Sequence, residues 1–129
     1  MLDKFINVTL KPLLIIGGAG TALAGAYAFF PEFSVTNIQK IGWVQEYTIF
    51  VQHWGMMVLL MGLFMIAAAF KESWRYPIML YAMIEKAFMV LLAILYFSHS
   101  FSEGFYIPAI LDAIIAVYCL LYFISLRRD

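Results

Sequence analysis

From Trp54 to Phe70 the chain carries no charged side chain and only glycine, alanine, methionine and bulky apolar residues. A solvent-facing helix keeps a polar face and a half-buried strand alternates, so an uninterrupted tract of this kind fits neither. It suits a helix surrounded by hydrocarbon, which needs about 20 residues to cross a core of roughly 30 Å. Three similar tracts lie at 13–30, 77–97 and 107–126, and with its more polar opening the first tract extends over 43–70. Across 129 residues, 65% are hydrophobic and 12% charged, against roughly half and a quarter in an ordinary soluble domain. The pattern predicts an all-α integral membrane protein, a four-helix bundle forming one transmembrane domain over 1–129. A β-barrel would need alternating segments of about ten residues.

Proline supports these boundaries, because it fits the first turn of a helix and disrupts the interior. Pro12, Pro77 and Pro108 are expected at three helix starts, and Pro31 just past a helix end. Orientation follows from Lys and Arg. In a four-pass layout Lys4, Lys11, Lys71, Arg75, Arg127 and Arg128 share one side, and Lys40 alone lies in the opposite loops. Both termini are therefore expected in the cytoplasm, and the protein in the cell (inner) membrane if the source is bacterial. The tract at 13–30 ends in small residues that resemble a signal-peptidase site, Ala24-Gly25-Ala26 and Ala26-Tyr27-Ala28, but its length favours a retained helix. Eight Lys+Arg balance eight Asp+Glu, so no basic field exists to hold nucleic acid. The expected partners are the lipid bilayer and further subunits, as a homo-oligomer or within a larger membrane complex.

Ionisable groups inside the spans are costly and usually mark a site, a pathway or a partner. His53, Glu85, Lys86 and Asp112 qualify, and Glu46, seven residues before His53, is expected on the same helix face, in a stripe with Trp43, Phe50 and Met57. His99 and Glu103 belong to the second outer loop and could join them in an outward-facing vestibule. Glu85 and Lys86 are adjacent, so they point about 100° apart and each is expected to need its own partner. Lys86 could reach Asp112 or Glu46, and Glu85 could sit protonated in a dry pocket or pair with His53 or a tyrosine. The bland alternative is a closed interhelical network that only holds helices together.

Three chemistries suit these residues. His53 with Glu85 or Asp112 could act as a proton relay. A divalent metal could draw on His53, Glu46 and Asp112 with His99 and Glu103, but no HxxxH or ExxH pair shares a helix. His53, Met57, Met61 and Met65 recur at every fourth position, similar to the MxxxM element of Ctr-type copper transporters. Those proteins have a Met-rich outer segment and three spans, and methionine also fills gaps in helical cores. Only one histidine lies within a span, which disfavours haem, and the lone Cys119 excludes an internal disulfide and is best placed in packing. The small residues Gly17, Gly18, Gly20, Ala22, Ala24 and Gly25 offer a surface for close helix approach. No cofactor and no metal are expected.

The four-pass layout, the tract from His53-Trp54-Gly55 to Ala67-Ala68-Ala69-Phe70, and Trp74-Arg75-Tyr76-Pro77 resemble small uncharacterised bacterial membrane proteins of the DoxX-like kind. The resemblance covers most of the chain and implies a four-helix bundle without implying an activity. Small multidrug transporters are similar in length but place a glutamate in the first helix, where this chain has no acid between Leu13 and Phe30. The sequence therefore points to a polar pocket between the second, third and fourth spans that binds or transports a small molecule, under control of His53, Glu85 or Asp112 protonation. A non-catalytic accessory subunit is the alternative, and an acid–base enzyme acting on a lipid-like substrate ranks third.

Overall fold

The computed structural model describes residues 1–127; Arg128 and Asp129, the last members of the C-terminal charge cluster, lie outside the described residues. The described residues are helical with no strand. The elements are α1 (Leu2–Ala22), α2 (Gly25–Phe29), α3 (Pro31–Phe33), α4 (Thr48–Phe70), α5 (Arg75–Leu95) and α6 (Tyr106–Leu126), with a wide π-helical turn at Ser34–Ile38 and tight turns at Gln45–Tyr47, Glu72–Trp74 and Ser100–Phe105. Four helical stretches, Leu2–Phe29, Gln45–Phe70, Glu72–Leu95 and Ser100–Leu126, are long and apolar enough to cross a membrane. The helices α1 and α2 pack along α4, α5 packs along α6, and the two pairs meet through α1 with α6 and α4 with α5.

The α1–α4 seam is closed by glycine. A Cβ on Gly18 would lie 2.6 Å from the carbonyl oxygen of Gly62, and one on Gly62 would strike the carbonyl oxygen of Gly18. Such reciprocal exclusion lets two helix backbones touch. Further along, a Cβ on Gly55 would lie 2.5 Å from the backbone nitrogen of Ala28. The small-residue surface of the first helix thus finds its partner within the same chain.

The α5–α6 seam follows seven-residue spacing. Met79, Ala82 and Lys86 form the buried stripe of α5, and Ile115 and Cys119 lie buried on α6 with Asp112 one turn before them. Antiparallel packing sets Lys86 opposite Asp112. Leu10, Leu14, Met61, Met65 and Ala68 complete the core from the other pair.

Two boundaries depart from the sequence expectation. The first helix starts at Leu2 and carries Pro12 inside it. Ile6, Leu10 and Leu14, spaced by four, are buried, and Tyr118 of α6 donates to the carbonyl of Ile6 at 3.3 Å while sharing a 2.7 Å hydrogen bond with Thr9. Packing of this face outweighs the lost proline N–H. The second long helix becomes α-helical only at Thr48, after a tight turn at Gln45–Tyr47 and an extended Val44. Pro77 and Pro108 each occupy the third position of their helices, as expected of first-turn prolines.

One end of the bundle is basic. Lys11 lies over the Phe70 ring at 4.5 Å, Lys71 lies over Trp74 at 4.4 Å, and Arg75 donates to the carbonyls of Ala68 at 3.0 Å and Ala69 at 3.2 Å. Those carbonyls belong to the last turn of α4, where helical partners run out. The opposite end is closed by its two loops. Gln39 is buried and donates Nε2 to the Tyr27 hydroxyl, and its backbone approaches Gly104 so closely that a Cβ there would lie 2.5 Å from the Gln39 carbonyl oxygen.

Candidate functional site

At mid-length of the bundle, about 15 Å from either end of α5 at 1.5 Å per residue, Lys86 Nζ donates to Asp112 Oδ1 at 2.7 Å. The same nitrogen lies 3.8 Å from Glu85 Oε2. The side chain of Lys86 is 2% exposed, that of Asp112 13% and that of Glu85 32%. Lys86 is thus a buried cation with one short partner and one longer contact.

Helix geometry explains the arrangement. Met79, Ala82 and Lys86 share one face of α5, so the lysine enters the seam as the last rung of an apolar stripe, and Asp112 meets it as the first rung of the α6 stripe. Glu85 points about 100° away around the helix, yet it does not find a separate partner. The flexible lysine stem and the glutamate carboxylate approach one another, so the adjacent residues share one cluster. This corrects the expectation that each needs its own partner. Among the described residues, Glu85 Oε2 is buried without a hydrogen bond.

The trio holds two carboxylates and one ammonium, leaving one negative charge in excess when all three are ionised. A buried charge without compensation is costly. The arrangement is therefore suited to gaining and losing one proton, or to accepting a donor from outside at the partly exposed Glu85.

The other sequence candidates lie elsewhere. Glu46 is exposed on the Gln45–Tyr47 turn, so the face it was expected to share with Trp43 and His53 is interrupted before α4 begins. His53 is exposed on the first turns of α4. His99 packs against Tyr96 and Phe101, with ring centroids at 5.7 and 5.0 Å, and its carbonyl accepts from Ser102 at 2.8 Å. Glu103 is exposed on the Ser100–Phe105 turn. Among the described residues, no hydrogen bond or ion pair joins the side chains of Glu46, His53, His99 or Glu103 to the trio, and no three His, Cys, Asp or Glu side chains stand close enough to hold a metal ion.

The every-fourth methionine series divides in the same way. Met65 is fully buried and Met61 nearly so, while Met57 is half-exposed. A four-residue step advances about 40° around a helix, so the series winds from the surface into the core.

Gly55 and Gly62 were not singled out in the sequence, although their seven-residue spacing on one apolar helix is the signal that could have found them. The Gln39 to Tyr27 closure has no comparable sequence signal. No protein-family model, curated protein or solved structure matches this chain.

Proposed function

We propose that the protein is a four-pass inner-membrane protein with both termini in the cytoplasm. In this reading, the trio of Glu85, Lys86 and Asp112 gains and loses a proton as a small, apolar or weakly polar molecule is bound or passed. The observation that carries the proposal is the partly exposed Glu85, whose Oε2 is buried without a hydrogen bond beside a closed ion pair. An ionisable group in hydrocarbon needs a partner, a proton or water, and Glu85 is the member of the trio open to supply or receive one. The basic end, with Lys4, Lys11, Lys71 and Arg75, supports the orientation.

Mass spectrometry of small molecules that co-purify with the protein tests this proposal. At mildly acidic and mildly alkaline pH the wild type is expected to carry a species whose occupancy changes, and Glu85→Gln to carry it at constant occupancy. A wild type that carries none at either pH contradicts it.

Two observations favour a second reading, a non-catalytic subunit of a larger membrane complex. The Lys86–Asp112 pair is closed at 2.7 Å, and Ile107, Ile110, Ile114 and Val117 form an exposed apolar stripe along α6. Stable co-purification with other membrane proteins, with no bound small molecule, would support that reading instead. An acid–base enzyme ranks third, because among the described residues His53 has no hydrogen-bonded carboxylate to orient it.

A further inference from the structure

The helix breaks at Phe30, whose φ of −133° and ψ of 64° are not helical, and Pro31 then starts a new turn. This break lies at the end of the bundle opposite the basic rim and leaves the rings of Phe30 and Phe33 exposed, at 66% and 62%. Together with Glu32, Trp43, Gln45 and Thr48 they line an open cavity of about 580 Å³. The indole is held in place, since Trp43 Nε1 donates to Gln45 Oε1 at 3.0 Å. Thr48 donates its hydroxyl to the Gln45 carbonyl at 2.6 Å, fixing the turn that carries both residues.

Aromatic faces attract cations, and alkylammonium groups are bound by several rings together, often beside an acid. Here Phe30, Phe33 and Trp43 line one cavity together with the acidic residue Glu32. The loops at this end add Glu46 and Glu103 against the single cation Lys40, so the surrounding field also favours a positive ligand. The cavity lies where the apolar helices end, at the level of lipid headgroups if the chain spans a bilayer as proposed above.

We propose that this cavity binds the alkylammonium headgroup of an outer-leaflet phospholipid, with Trp43, Phe30 and Phe33 facing the cation and Glu32 balancing its charge. The acyl chains then run down the exposed apolar side of the bundle. The site is separate from the trio and depends on the proposed function only through the membrane span.

The test is native mass spectrometry of the protein released from nanodiscs. The discs contain equal amounts of phosphatidylcholine and phosphatidylglycerol with identical acyl chains. The wild type is expected to retain the choline lipid over the glycerol lipid by about tenfold. Glu32→Gln and Trp43→Leu should each bring the ratio to near parity while helix content by circular dichroism is unchanged, and Glu72→Gln, exposed at the opposite end of the bundle, should leave the ratio as in the wild type. Parity in the wild type, or a preference that survives both substitutions, overturns the site. Failure to enter nanodiscs would instead contradict the membrane span. In a second arm, detergent-solubilised protein is titrated with tetramethylammonium chloride. Millimolar binding is expected, and binding a thousandfold tighter would overturn the lipid assignment in favour of a soluble cation.

Discussion

Lys86 Nζ and Asp112 Oδ1 lie 2.7 Å apart across the α5–α6 seam, with the lysine side chain 2% exposed. The pair occupies the position where two apolar stripes end, so it fixes the register of the two helices as well as joining them. Removing Lys86 leaves two carboxylates without their cation, whereas removing Asp112 leaves Lys86 the longer contact to Glu85 at 3.8 Å. Lys86→Met should destabilise the detergent-solubilised protein by about 3 kcal/mol and Asp112→Leu by about half as much, and the double variant should lose less than the sum of the two. Unfolding in mixed micelles, analysed as a double-mutant cycle, measures the coupling.

The glycine seam gives a prediction of a different kind. A methyl group on Gly18 or Gly62 has no space, because backbone atoms of the facing helix lie within 2.6 Å of it. Gly18→Ala and Gly62→Ala should each cost about 2 kcal/mol through forced separation of α1 from α4. Around Gly42 a Cβ would meet nothing within 4 Å, and Gly42→Ala should change stability by less than about 0.5 kcal/mol. Thermal unfolding of the three variants provides the comparison.

At the basic end, Arg75 satisfies two carbonyls in the last turn of α4. Arg75→Ala should cost about 1 to 2 kcal/mol. Arg75→Lys should restore less than half of it, because one ammonium cannot reproduce the forked contact. Faster hydrogen exchange at the amides around Lys71, compared with those in the middle of α4, would locate the effect.

Hydropathy alone gave the four long helices, because a bilayer-length apolar tract leaves few alternatives. The ends were legible where proline or charge marks them, at Pro31, Lys71, Pro77 and Pro108. Pro12 misled, since its position argued for a helix start while the contacts of Ile6 and Leu10 lie on a distant helix. The Lys86 to Asp112 pairing could be named as one of two options from composition and approximate depth. The approach of Glu85 to the same ammonium could not, because helix periodicity fixes where a Cβ points and not how a long lysine stem folds. The separation of Glu46 from His53 was hidden for a related reason. Nothing in Trp43 to Tyr47 announces that the backbone there is extended and then tightly turned before α4 begins.

The central claim is that Glu85, Lys86 and Asp112 form one proton-exchanging unit. Infrared difference spectroscopy of the protein in lipid, recorded across a pH step, tests it directly. The wild type should show a single protonatable carboxyl band from the interior, absent in Glu85→Gln and unchanged in Glu103→Gln. A band that persists in Glu85→Gln, or a wild type with no interior carboxyl response to pH, would contradict the account.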